Sequence, residues 1–259
     1  MSEILRYDSV DVSYNGKAVV NDINLSLNEG EILGLVGESG SGKSTVIKAA
    51  MNLLGKQGLV TKGDIWFEGM DLPDLNKKQM LKINGPKIGM IFQNSGSAFC
   101  PIRTVGEQIY EAVAAHEKIS KADFNEKATE LFSKIGFEDP VRVLKSFPFE
   151  LSGGMQQRVG VAAAMLLNPK VLLADEPTSA LDVSIQKLVI DELLKIRELF
   201  GTSMIIVTHN IGVINAMADN VIVMKDGHIV EYGTKDQVIN SPQEEYTKRL
   251  MAAVPRLVR

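Results

Sequence analysis

EILGLVGESGSGKSTVIKAAMNLLG, residues Glu31 to Gly55, decides how the rest of the chain is read. Its first part, Glu31–Gly37, is a short apolar run that breaks into glycines. A helical pattern follows at once and runs to Gly55. Between the two, GESGSGKST, Gly37 to Thr45, fits G-x-x-x-x-G-K-[ST] in the strand-to-helix setting that its chemistry needs. Glycines let the backbone curl so that successive N–H groups point at one anion. The helix opening at Lys43 adds the positive partial charge of its N-terminus. Gly37, Glu38, Ser39, Gly40, Ser41, Gly42, Lys43, Ser44 and Thr45 are therefore the expected phosphate-binding residues. Lys43 should reach the β- and γ-phosphates, and the Ser44 hydroxyl should ligand Mg²⁺.

Outward from this loop, two further apolar runs of β type appear, VLLA at Val171–Ala174 and SMIIVT at Ser203–Thr208, and each leads into a helical segment. Strands alternating with helices predict a parallel sheet covered on both faces. The ends of the chain read differently. Ile4 to Leu27 alternates around Asn15-Gly16, and NVIVMKDGHIVEYG turns at Asp226-Gly227, so each predicts an antiparallel hairpin. From Ser95 to Leu167 the helical signal dominates. The expected fold is α/β: a P-loop NTPase core with a mixed, mainly parallel sheet, an N-terminal antiparallel β subdomain and an inserted α-helical subdomain. Residues 1–94 and 168–259 are assigned to the core, 95–167 to the helical subdomain and 240–259 to a short tail.

VLLADEP ends a buried strand on two carboxylates at the edge where open α/β sheets bind ligands. Asp175 is the natural outer-sphere Mg²⁺ carboxylate, and Glu176 is placed to polarise an attacking water. LSGGMQQR, Leu151 to Arg158, holds a second anion-type helix start. Ser152 can cap a helix that begins in Gly153-Gly154, leaving bare N–H groups beside it. Such a start either completes a nucleotide held by another subunit or is an ordinary capped helix.

Composition removes other classes. With 28 Lys+Arg against 32 Asp+Glu, the formal charge of −4 gives no electrostatic reason to expect nucleic acid. A 45% hydrophobic, 23% charged chain of 259 residues has ordinary globular composition and can bury a sizeable core. No secretory signal is visible at the N-terminus. The longest apolar run, Val159–Leu167, is far short of the roughly 18–20 residues that span a bilayer. The expectation is a cytosolic protein whose role at a membrane, if any, comes through a partner. Cys100 has no second cysteine to pair with, and His116 and His228 are expected to face solvent.

Taken together, these motifs resemble the ATP-binding subunit of an ABC transporter over nearly the whole chain. Gly37–Thr45 matches Walker A, Val171–Glu176 matches Walker B, and Leu151–Gln156, including Gln156, matches the signature motif. The resemblance adds roles for residues that spacing alone leaves silent. Gln93 in MIFQN matches the glutamine loop that touches Mg²⁺ and faces membrane subunits. SALD, Ser179–Asp182, brings Asp182 to the dimer interface. His209 matches the switch histidine at the γ-phosphate, and Tyr14 the aromatic ring stacked on adenine. The implied cofactors are ATP and Mg²⁺, with Ser44, Gln93 and Asp175 as the metal set and Glu176, His209 and Lys43 as the catalytic set. The implied clamp places Lys43, Ser44 and Gln93 of one chain opposite Ser152, Gly153 and Gly154 of another.

Three segments, SAFCPIRTVGEQI, RVLKSFPFELSGGM and SPQEEYTKRLMAAVP, are similar to the peptide and nickel importer subfamily. That similarity implies a second ATP-binding subunit (a different chain, or a homodimer), two membrane permeases and an extracytoplasmic binding protein. It also implies a peripheral place on the cytoplasmic face of the membrane. Many relatives continue into a cysteine-bearing extension, and with one cysteine no iron–sulfur cluster is expected here. The rival reading is a soluble ABC ATPase acting on the ribosome or nucleic acid.

Overall fold

The structure is a computed structural model and describes residues 2–253. The end of the tail segment, from Val254 on, lies outside the described residues. Two compact units divide the chain, one from residues 1–80 and 203–259 and the other from 81–202.

The first unit opens with β1 (Glu3–Tyr14), β2 (Lys17–Asn28), β3 (Ile32–Val36), α1 (Lys43–Ala50), β4 (Gly58–Phe67), β5 (Met70–Asp71) and α2 (Lys77–Met80). The second unit holds β6 (Ile88–Ile91), α3 (Val105–Ala114), α4 (Lys121–Ile135), α5 (Pro140–Lys145), α6 (Gly153–Met165), β7 (Val171–Asp175) and α7 (Val183–Phe200). The chain then returns to the first unit with β8 (Ser203–Val207), α8 (Ile211–Met217), β9 (Asn220–Lys225), β10 (His228–Thr234), α9 (Lys235–Asn240) and α10 (Glu245–Ala252).

In the first unit β2-β1-β4-β5 form an antiparallel sheet, and β10-β9-β3-β8 lie side by side in a second sheet. There β3 is parallel to both β8 and β9, and β10 closes the edge antiparallel. Every residue of β3 and β8 is buried, the pattern of a parallel strand covered on both faces. Both expected hairpins form. Their turns carry positive φ at both central residues, Asn15 and Gly16 in one and Asp226 and Gly227 in the other, the mirror-image turn that matches strand twist. Gly34 lets α8 lie directly on β3, since a Cβ there would come 2.8 Å from Ile214 Cδ1.

Two features depart from the sequence reading. Helix α1 stops at Ala50, short of Gly55. Asn52 turns left-handed, its N–H donates to Ala49 O and the Leu53 N–H reaches back to Lys48 O at 2.9 Å, which is a Schellman closure. Strand β4 has no counterpart in the sequence reading. Gly63 breaks its alternation with φ +77, and a Cβ there would meet the Asp8 carbonyl at 2.3 Å, so only glycine passes the bulge opposite β1.

In the second unit β6 and β7 pair in parallel. The helices begin where local chemistry says they should: Thr104, Ser120, Asp139 and Ser152 each accept an N–H of the first turn of α3, α4, α5 and α6. Val105, Ile109, Val113, Phe124, Phe132 and Ile135 form the buried faces of α3 and α4. Each such side chain removed from water stabilises by about 1.5–3 kcal/mol. Among the described residues, no helix is long and apolar enough to cross a membrane.

Candidate functional site

In the first unit the glycine loop leaves the carboxyl end of β3 and runs into α1. Gly42, at the N-cap of α1, has φ +99 and no side chain to offer the first N–H groups, so this helix start suits an anion. Lys43 is only 6% exposed. Its Nζ curls back into the loop, donating to Gly37 O at 2.9 Å and Glu38 O at 2.8 Å, with Ser41 Oγ at 3.4 Å. A compact cation held among backbone carbonyls at a bare helix start is what a polyphosphate would meet there. Ser44 and Thr45 follow inside the first turn of α1.

His209 emerges from the same edge. Leu35 pairs with Val207 across β3 and β8, and Thr208 N–H donates to Leu35 O at 3.2 Å. His209 is exposed between that strand end and Asn210, the N-cap of α8, whose side chain accepts from Gly212 N–H at 2.9 Å. Tyr14 ends β1, half-buried beside Gly58; a Cβ on that glycine would fall 2.7 Å from Tyr14 Cε1.

The second unit carries the acidic and signature residues. Asp175 is buried at the carboxyl end of β7. Glu176 follows with φ +50, a left-handed backbone for a residue with a Cβ, which costs about 1–2 kcal/mol.

Ser152 caps α6, accepting from Met155 N–H at 3.3 Å, and Ser152 and Gly153 are exposed. Asp182 caps α7, accepting from the Ser184 hydroxyl and from Ile185 N–H. Those bonds, the Ser184 hydroxyl first, hold its carboxyl below the ordinary range. Gly154 joins the two helix starts: a Cβ on it would lie 2.7 Å from Ile185 Cγ2. The first turns of α6 and α7 thus approach closely because position 154 has no side chain.

Gln93 is exposed just past β6. The residue that holds its segment was missed by sequence reasoning. Gln157, buried in α6, accepts from Ser95 N–H and donates to Phe92 O, each at 3.1 Å, so one amide grips the backbone on both sides of Gln93. Gly160, one turn on, leaves room for Ser95, whose Cβ would sit 2.3 Å from an added Cβ. Gln156 has a different use from its neighbour: its amide donates to Pro148 O and Leu151 O, bracing the segment ahead of the helix. Arg158 completes the run. Its Nε lies 2.5 Å from Glu192 Oε1, its Nη2 donates to Gly136 O at 3.1 Å, and its guanidinium stacks over Phe137 at 4.4 Å. Burial raises the Glu192 carboxyl to about 7, outweighing the pull of Arg158.

His116, His228 and Cys100 are exposed, and the Cys100 backbone N–H is held by Gln108 Oε1 at 2.6 Å. Both histidines face solvent as expected. The donor chemistry of the predicted metal set fits Mg²⁺, which takes hard oxygen ligands: a hydroxyl on Ser44, an amide oxygen on Gln93 and a carboxylate on Asp175.

Known proteins resemble this chain in sequence and in fold. Residues 20–179 match the family described as ABC transporter. The oligopeptide transport ATP-binding protein OppD of Bacillus subtilis is 43% identical over 247 residues, covering 95% of this chain and 69% of OppD. The metal-staphylopine import system ATP-binding protein CntD of Staphylococcus aureus is 37% identical over 253 residues, covering 98% and 93%. Among solved structures, the ATP-binding cassette MJ0796, seen as a dimer in a post-hydrolysis state with ADP and Pi, superposes with TM-score 0.78 at 29% identity, over 90% of this chain and 99% of that one. CbiO1 of Clostridium perfringens, part of the transporter complex cbiONQ, gives 0.81 at 26%, over 93% and 92%. A nucleotide-type loop, a glycine-opened signature helix and an acidic strand end, in this order and on this fold, place the chain in the ABC transporter family as one of its ATPase subunits.

Proposed function

We propose that this chain powers import of peptides or metal chelates by binding and hydrolysing MgATP. The importer reading is carried by one observation: the likeness to OppD and CntD runs through 95–98% of the chain, so it includes the segments around Gln93 and the tail as well as the nucleotide motifs. In this reading Gly37–Thr45 cradle the phosphates, Lys43 meets the β- and γ-phosphates, and Tyr14 lies on adenine. Ser44, Gln93 and Asp175 would hold Mg²⁺, which supplies charge neutralisation on the transferring phosphoryl group. Glu176 takes the proton of the attacking water, and His209 contacts the γ-phosphate. Ser152, Gly153, Gly154 and Asp182 of a second ATP-binding subunit close the site from the other side, with Gln156 bracing that helix start.

The domain layout goes with this use, with a core of 1–94 and 168–259, a helical subdomain of 95–167 and a tail of 240–259. Two permeases would dock near Gln93, where Phe92 and Ile102 are exposed apolar side chains, the latter 80% exposed. The chain would then be peripheral on the cytoplasmic face of the membrane, and an extracytoplasmic binding protein would choose the cargo. The experiment is co-purification with the permeases, followed by ATP-dependent uptake in vesicles loaded with the binding protein and offered oligopeptides or nickel chelates. Stimulation of ATPase activity by neither cargo class refutes the importer reading.

A further inference from the structure

The tail segment SPQEEYTKRL enters the sequence reading only as a mark of subfamily, yet it reaches the phosphate loop. The Tyr246 hydroxyl, on α10, accepts a hydrogen bond from the Glu38 N–H at 3.2 Å. The peptide unit that owns this N–H carries the Gly37 carbonyl at its other edge, and that carbonyl takes Lys43 Nζ at 2.9 Å. A peptide is planar, so fixing its N–H also fixes its C=O. One rigid plane therefore links Tyr246 to Lys43.

The tyrosine is anchored from behind. Its ring packs on the cluster of Val36, Ile211, Val221 and Met251 and lies under Lys225 Nζ, 5.2 Å from the ring centre. Burial raises its hydroxyl above the usual range, which keeps it a neutral phenol. The β9–β10 hairpin flanks the same loop: the Met224 carbonyl would lie 2.2 Å from a Cβ on Gly37, and Gly227 N–H donates to Ser41 O. Loop residues 37–41 are thus held from outside by the segment 224–246.

We propose that Tyr246 is a positioning residue for Lys43, setting the Gly37–Glu38 peptide so that the ammonium is presented to incoming phosphates. This rests on the reading that Lys43 binds phosphate.

The test compares the full chain with Tyr246→Phe, Leu250→Ala and Lys43→Ala, measuring affinity for a fluorescent ATP analogue, steady-state ATPase and melting temperature. Tyr246→Phe keeps the ring and removes only the hydroxyl, so affinity should fall about fivefold, the worth of one net hydrogen bond. KM should rise in step while kcat stays within about twofold, because bound phosphates hold Lys43 themselves once the site is filled. Leu250 packs on the same cluster but carries no hydroxyl to reach the Glu38 N–H, so Leu250→Ala should lower the melting temperature and leave affinity unchanged. An affinity of Tyr246→Phe within twofold of wild type overturns the proposal, as does an equal loss in Leu250→Ala. Unchanged affinity in Lys43→Ala overturns the reading beneath it, and the proposal with it.

Discussion

Replacing Glu192 by glutamine should flatten the pH dependence of stability. Its side chain is 4% exposed, Oε1 meets Arg158, and Oε2 is buried with no hydrogen-bond partner among the described residues. Burial raises the carboxyl to about 7; Arg158 and Lys195 pull it down, and Asp191 pushes it up. Glu198 lines the same cleft. The sign follows from linkage. A carboxyl raised in the folded state gives its full stabilising contribution below the ordinary value of 4.5 and loses it as the pH climbs through 7. Between pH 5 and pH 8 this group alone should remove roughly 2–3 kcal/mol from the wild type. Other carboxylates titrate in both proteins, so the difference between wild type and Glu192→Gln isolates the effect. Urea melts of the full chain at pH 5, 6, 7 and 8 measure it. Parallel stability curves for the two proteins would falsify the reasoning, since they would mean that Glu192 keeps an ordinary carboxylate in the fold.

Three other outcomes follow from the geometry. Glu176→Gln should retain ATP binding, trap a closed dimer and abolish steady-state hydrolysis; size-exclusion with ATP and a phosphate-release assay check both halves, and full activity refutes the general-base role. Gly154→Ala should destabilise by about 1–3 kcal/mol, because the new methyl meets Ile185. A second change, Ile185→Ala, should recover part of the lost stability in urea melts, and a double variant no more stable than Gly154→Ala removes the steric explanation. Gln157→Ala leaves the Ser95 N–H without its acceptor, while Phe92 O keeps the Ser95 hydroxyl, for a loss of about 1–3 kcal/mol. Denaturant melts that match wild type would show that water replaces the amide without penalty.

The parts legible in the sequence are those whose cause is local. A glycine loop between an apolar run and a helix, two turns that demand positive φ, and serine or aspartate caps all act within a few residues, and each appears where its chemistry puts it. Strand β4 was hidden because Gly63 interrupts the alternation, and the bulge it serves lies across the sheet on β1. Gln157 and Glu192 are polar residues buried within helices. Val189, Glu192, Leu193 and Ile196 are the buried residues of α7, spaced as one helical stripe, so a carboxylate stands where a hydrophobe belongs. The partners that explain these two polar residues, Ser95 and Phe92 for one and Arg158 for the other, lie 34 to 65 positions away in the chain, beyond the reach of any local pattern.

The double grip of Gln157 has a mechanical consequence. A single contact between the Gln93 segment and α6 would act as a pivot and pass on only a push. Two bonds from one amide, to the backbone at Phe92 and at Ser95, act as a clamp that also carries torque. A twist applied to the exposed end of the Gln93 segment is therefore delivered to the first turns of α6, close to its cap Ser152.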